Sequence, residues 1–337
     1  MKNKNLNSYF KYFIFFLGLF FCLIFFLNYL VDPLWYFNGN KIKKTNYVFN
    51  ERLSKFNLFY FSSNKENIDC LIFGSSISTT LNQKKFKKNN CFNFSFSAGN
   101  VYEYDAYLNY LKYLGYIPKK IYIELPIVIS KKKEKKFKDI IKDFSSSKII
   151  AYFPPVETES LVKDFLNQED KLKDNSKNYL SKVPNFILKK EPPDLFWSNY
   201  FSFNSFIFSL KSLLNISNYT NAYDDEFIGF VRRNKSDFKK SFRLKSQINE
   251  TDLNYIIANR LNTLKYFEDI YDFSVPNIQI NDSKNTYDGS HYYKNFISLI
   301  ADFMEGSELL YGLKINNFDF EDKYKEMFFK YQKKLKK

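Results

Sequence analysis

The chain has 337 residues, 45% of them hydrophobic, enough for one large domain or two small ones with a real core. Lys and Arg outnumber Asp and Glu by 51 to 36, a formal net charge of +15, which admits nucleic acid, anionic lipid headgroups or an acidic glycan as partners. Nucleic acid is disfavoured, because an amino-terminal apolar run holds the chain outside the cell and no helix-turn-helix, zinc-finger or RNA-binding signature is present.

The run from Tyr12 to Val31 carries no charge and follows Lys2, Lys4 and Lys11. At about 1.5 Å per residue it crosses a hydrocarbon core of roughly 30 Å. Leu30-Val31-Asp32-Pro33 offers no small-residue cleavage site, so residues 12 to 31 read as a retained anchor rather than a signal peptide. Lys41, Lys43 and Lys44 nearly balance the leading lysines; the short tail, with Lys11 adjacent to the run, puts residues 1 to 11 in the cytoplasm and the rest outside. Residues 32 to 64 form a juxtamembrane connector, with Asp32-Pro33 ending the helix and a turn at 38 to 40.

A strand over Cys70 to Phe73 closes abruptly on Gly74-Ser75-Ser76. Further strands are expected over Phe92 to Phe96 and Lys120 to Leu125, with a helix over Tyr102 to Leu114 between them. Such alternation makes a parallel sheet with helices on both faces. Residues 131 to about 260 turn irregular, with Pro154-Pro155 and Pro192-Pro193, and read as a helical insertion serving as a lid or acceptor-binding part. Within it, Lys148 to Phe153 fits a strand of the central sheet instead. A last strand spans Asp269 to Val275, and a helix over Tyr292 to Leu310 packs back on the sheet.

Residues 313 to 337 form a basic helix. Its lysines, and those from Lys131 to Lys136, read as solvated faces. Membrane-surface contact through Phe318, Phe320, Met327, Phe328 and Tyr331 is the alternative for the tail. The 40 Phe and 27 Tyr, beside abundant Lys, Asn and Ile, look like the codon usage of an AT-rich genome and mark no stacking surface. Of the three cysteines, Cys22 lies in the anchor, while Cys70 and Cys91 start neighbouring strands. A bridge needs Cα atoms within about 7 Å; free buried thiols are the expected state. One His and scattered thiols are too few soft ligands for a structural metal, and no phosphate loop or dinucleotide fingerprint calls for a cofactor.

His291 is the only histidine, and Asp288 stands three positions before it. A serine hydroxyl becomes a nucleophile when a base takes its proton and a third group orients that base. Ser76, on a turn at the carboxyl edge of a sheet, with His291 and Asp288, supplies those three roles. Alone, Gly-Ser-Ser is an ordinary turn and a lone His an ordinary imidazole; together they point to a catalytic serine. Position 78 is Ser where an α/β-hydrolase elbow needs its second Gly, and the acid stands too close to the base for that fold.

On Gly74-Ser75-Ser76 and Asp288-Gly289-Ser290-His291 the chain resembles the SGNH (GDSL-type) hydrolases, especially their membrane-anchored branch that handles acyl groups on cell-surface glycans. Asn93-Phe94-Ser95-Phe96-Ser97-Ala98-Gly99-Asn100 is similar to that family's second block. The resemblance implies Ser76 as nucleophile, His291 as base and then acid, Asp288 as its orienting group, and the Ser76 and Gly99 N–H groups as oxyanion donors. The third block departs: Lys120 to Pro126 holds no Asn, and Asn100 is the substitute.

The implied fold is α/β, a three-layer, flavodoxin-like parallel sheet over residues 65 to 312 with the insertion inside it. The implied activity is that of an O-acyltransferase or esterase on an envelope polysaccharide, without cofactor. Its partners are a glycan acceptor or acyl-ester substrate and a membrane acyl-donor protein. From another class, the chain reads as an inactive SGNH-like protein of envelope glycan binding or assembly.

Overall fold

A computed structural model describes residues 2–37, 39–42, 45–47, 50–61, 65–126, 129, 131–155, 176–193, 200, 202–214, 221–224, 229–232, 250–280, 282, 284–286, 291–307, 312–316 and 318–335. The apolar segment forms helix α1 (Lys2–Val31), which begins well before the uncharged run. Its part from Ser8 to Val31 is long and apolar enough to cross a membrane. Side chains from Ser8 to Leu23 are all exposed.

The connector is more ordered than its composition suggests. After α1, Asp32 adopts a left-handed backbone (φ 46°), and its carboxylate accepts from the N–H groups of Tyr36, Phe37 and Gly39 at 2.8–2.9 Å. Strand β1 (Thr45–Tyr47) follows, then helix α2 (Glu51–Phe61), whose Leu53, Phe56 and Phe59 enter the main core. Asn57 donates to Leu34 O at 2.9 Å and Ser54 to Pro33 O at 3.3 Å, fastening the exit of α1 to that helix.

Five parallel strands make the central sheet. They are β2 (Cys70–Phe73), β3 (Cys91–Asn93), β4 (Lys120–Glu124), β5 (Lys148–Phe153) and, later, β8 (Asp269–Asp272). Helix α3 (Val101–Tyr113) crosses from β3 to β4 and α4 (Lys131–Asp143) from β4 to β5. The order is β3-β2-β4-β5-β8, with β9 (Leu313–Ile315) antiparallel at the edge. Because β2 is flanked by β3 and β4, the chain leaves it in one direction and returns on its other side. The carboxyl ends of β2 and β4 therefore border a topological switch point, where open α/β sheets leave a crevice.

The strands are buried on both faces, as helix-covered parallel strands must be. Leu71, Phe73, Ile121 and Ile123 face the core shared with Tyr107 and Leu108 of α3 and Phe137 and Ile140 of α4. Cys70, Ile72, Tyr122 and Tyr152 face a second core closed by Phe296, Ile297 and Ile300.

Because α4 and β5 are a crossover and a strand of the sheet, the segment leaving the α/β unit starts after β5 rather than at residue 131. That segment holds α5 (Ser176–Leu180), α6 (Asn185–Lys189), α7 (Phe203–Leu213) and strands β6 (Asn221–Asp224) and β7 (Gly229–Arg232). The last two join β1 in a separate antiparallel sheet, so the segment is not purely helical. Helix α8 (Glu250–Thr263) then leads into β8. Its Arg260 pairs with Asp272 at 2.9 Å, both fully buried, with the guanidinium 3.7 Å over the Phe153 ring.

One further expectation, free buried thiols, is corrected, and the alternative reading of the tail is not met. Cys70 and Cys91 form a disulfide, with Cα atoms 4.3 Å apart; in-register parallel pairing puts the two side chains side by side. The apolar stripe of the tail does not form one outward face: in α10 (Phe320–Leu335), Phe320, Tyr324 and Phe328 pack into the main core. Only the stripe's Phe318 stands out in solvent. Of the Lys131–Lys136 cluster, Lys131, Lys132 and Lys135 are exposed on α4, whose Phe137 and Ile140 face inward.

Candidate functional site

Strand β2 stops at Phe73, and the chain turns sharply. Ser75 O accepts from the N–H groups of Ser78 and Thr79 at 3.1 and 3.2 Å, which starts a 3₁₀ turn at Ser78–Thr80 and leaves Ser76 at its shoulder. Among the described residues the Ser76 N–H donates to no acceptor. Its carbonyl receives the Thr79 hydroxyl at 2.7 Å. Asn93, at the end of β3, donates to Ser78 O and Leu81 O at 2.8 and 3.0 Å and so staples the turn to the sheet.

His291 arrives from the other end of the domain. An isolated antiparallel bridge pairs Thr286 with Tyr292, the residue after His291. Thr286 donates its hydroxyl to His291 O at 2.9 Å, and Tyr292 anchors on Ile280 O at 3.0 Å before α9 (Lys294–Met304) begins. The imidazole Nε2 lies 2.8 Å from Ser76 Oγ, across 215 positions of sequence. This is hydrogen-bond distance for a serine and its base. Both residues are half-buried, so the pair stays within reach of solvent and ligand. Asp288 lies outside the described residues.

Sequence reasoning missed the carboxylate beneath the turn. Glu124, at the end of β4, accepts from the Ser75 N–H at 3.0 Å and from the Ser78 hydroxyl. Ser78 Oγ also lies 2.6 Å from the Tyr152 hydroxyl. Burial raises the carboxyl pKa of Glu124 from its ordinary value, although its hydrogen bonds pull the other way, and burial pushes the Tyr152 phenol well up. A Glu at a strand end normally reads as a solvated edge, and only its position at the switch point marks it.

Two glycines let the turn and the loop after β3 touch. A Cβ on Gly74 would stand 2.5 Å from Ser78 Cβ and 2.7 Å from Glu124 Oε2; one on Gly99 would stand 2.4 Å from Gly74 O. Ala98, just before Gly99, sits at φ 50°, a left-handed conformation uncommon outside glycine.

The expected oxyanion donors come out differently. The Gly99 N–H donates to Phe96 O at 2.9 Å, so closing its own turn takes it out of the open donors, a correction to its assigned role. Asn100 caps α3, its Oδ1 accepting from Tyr102 N at 3.4 Å. It also lines a cleft of about 240 Å³ with Ser75, Tyr104, Glu124, Lys133 and Pro154. Burial lowers the pKa of the Lys133 ammonium. Among the described residues no cluster of His, Cys, Asp and Glu could hold a metal ion.

The arrangement can therefore move a proton between a serine hydroxyl and an imidazole beside an open cleft. No family model, curated protein or solved structure matches the chain.

Proposed function

We propose that the chain is a membrane-anchored, serine-dependent acyl-transfer enzyme of SGNH-like type, an O-acyltransferase or esterase on a cell-envelope polysaccharide. The observation that carries this reading is the 2.8 Å contact between Ser76 Oγ and His291 Nε2. The chain's only imidazole meets a serine on a strand-ending turn, at the crevice where α/β sheets do their chemistry. In this reading Nε2 takes the hydroxyl proton while Oγ attacks an ester carbonyl. The same proton then goes to the departing oxygen, leaving the acyl group on Ser76. A sugar hydroxyl or water, deprotonated in turn by His291, takes the acyl group and frees the serine. Asp288 orients the imidazole, and the Ser76 N–H and the Asn100 amide are the oxyanion donors.

The location rests on α1 and the disulfide. Lys2, Lys4 and Lys11 lie at the start of α1, ahead of its uncharged run, and the Cys70–Cys91 bond supports an oxidising compartment for the domain. An envelope glycan as acceptor suits a basic domain held at the membrane. One observation favours the second reading, an inactive glycan-binding or assembly protein: the Gly99 N–H is already engaged.

A serine-directed fluorophosphonate applied to the full-length protein separates the two. The enzyme reading expects labelling that Ser76→Ala and His291→Ala each abolish, with the double variant no worse than either because the residues act as a unit. Asp288→Asn should cost less. Wild-type protein that does not label refutes the enzyme reading.

A further inference from the structure

Helix α7 is inside out for a protein in water. The side chains it buries are polar and small: Ser205 and Ser209 are 0% exposed and Ser212 is 1%, with only Phe208 as an apolar companion. Its outward side carries Phe203, 66% exposed, and Leu214, just past its end, 58% exposed, with Phe206, Ile207 and Leu210 half-covered between them; Asn204 in its first turn and Lys211 in its last are the exposed polar side chains. A surface helix of a soluble domain turns its apolar stripe inward and its polar face outward. Lipid reverses the preference, because small residues then let helices approach closely and hydroxyls bond across the interface while apolar side chains face acyl chains.

The partner of the serine face is α1. Ser209 donates to Asn28 Oδ1 at 2.7 Å, and the Asn28 amide donates to Tyr200 O at 2.5 Å. Asn28 is fully buried there, and Ile24 and Val31 complete the covered face of α1. Phe206 stacks edge-on against Phe20 at 6.1 Å. Phe20 lies eight residues before Asn28, about 12 Å further along the helix. Contact thus reaches well inside the segment that is apolar enough to span a bilayer. At 11 residues, α7 is about 16 Å long, close to one leaflet. Its one charge, Lys211, sits in its last turn, from which a long side chain can reach the headgroups.

We infer that α7 is embedded in the bilayer leaflet next to the globular domain, packed by its serine face on α1 with its Phe203–Leu214 side against lipid acyl chains. The inference rests on the membrane-anchor reading of α1. The domain is then held by a two-helix unit at a fixed height and tilt, rather than swinging on a single tether, which places the Ser76 crevice at a set distance from the membrane surface.

The test uses full-length protein in lipid nanodiscs, with Cys22→Ser and one spin-labelled cysteine at a time. The labelled sites are Phe203→Cys and Leu214→Cys, both exposed and so tolerant of substitution. Phe16→Cys reports the anchor, and Phe318→Cys, at a position 96% exposed, reports water. Collision of the label with oxygen, which concentrates in lipid, is compared with collision with a water-soluble nickel chelate. The expected result is oxygen access with little nickel access at 203 and 214, as at 16, and the opposite at 318. Nickel access at both α7 sites with a lipid-like Phe16 overturns the inference and leaves the anchor standing. Low collision with both reagents means that protein, such as a second copy of the chain, covers this face, and also overturns it. Nickel access at Phe16 refutes the anchor and the inference together.

Discussion

Gly99→Ala tests whether contact between the two loops positions the serine. The new Cβ would stand 2.4 Å from the carbonyl oxygen of Gly74, whereas carbon and oxygen rarely approach closer than about 3.3 Å. The loops must part by nearly 1 Å, and both partners are backbone, so no side chain can swing aside. Parting also strains the bond from the Phe96 N–H to Gly74 O, now 3.0 Å. Overpacking of this kind costs roughly 1–3 kcal/mol and a backbone hydrogen bond about 1 kcal/mol, so a loss of about 2–4 kcal/mol is expected. Gly115→Ala is the control. It has a left-handed φ of 82° but open space around it, and should lose only about 1–2 kcal/mol from backbone strain. Equilibrium denaturation of both variants in mild detergent measures the difference. At temperatures where Gly99→Ala stays folded, the labelling by the fluorophosphonate that the proposed function expects should fall by about 100-fold, since the Ser76 turn is displaced by about 1 Å. A Gly99→Ala protein as stable as Gly115→Ala, with wild-type labelling, would refute the argument.

Other outcomes follow from buried groups. Burial depresses the Lys55 ammonium from 10.5 to about 8, so between those values the unfolded chain binds more protons than the folded one and stability rises with pH. The gain, up to about 3 kcal/mol between pH 8 and pH 10.5, should vanish in Lys55→Met, as denaturation midpoints across that range would reveal. The disulfide closes a separation of 21 residues, so its reduction should cost about 3 kcal/mol. Non-reducing mass analysis should find the intact protein lighter by two hydrogens than its reduced form.

Local chemistry made much of the fold legible. Cys70–Phe73 and Lys120–Glu124 are short apolar runs between polar breaks, and a parallel strand buried on both faces demands that pattern. The long apolar helix α1 was legible because one uncharged run of membrane-spanning length stands out in any sequence. Ser76 and His291 stood out as residue types, one on a turn and the other unique in the chain. That they meet at 2.8 Å is a property of the sheet order, which folds 215 positions of chain back on one edge. The segment after β5 was harder to read, because part of it answers to α1 and the separate small sheet rather than to the central one.

Other features had no local signature. Glu124 becomes the clamp on the Ser75 N–H only because β4 lies beside β2. Cys70 and Cys91 bond because parallel register aligns them; the residue types alone suited buried thiols equally well. The Gly99 N–H, an open donor by motif, is spent within its own turn. Helix α7 shows the division most sharply, since its serines and phenylalanines alternate on a helix whose orientation sequence cannot specify. Which side is inside depends on what lies against it, and α1 decides that. Sequence by itself determined the strands and crossover helices of the central sheet and the long apolar helix, because those depend on neighbours a few residues away, but not the small strands β1, β6 and β7, nor β9 at Leu313–Ile315, where a helix over 313 to 337 was expected. Only the tertiary structure decided which polar atoms meet, because a hydrogen bond is a matter of ångströms between residues that the chain order leaves far apart.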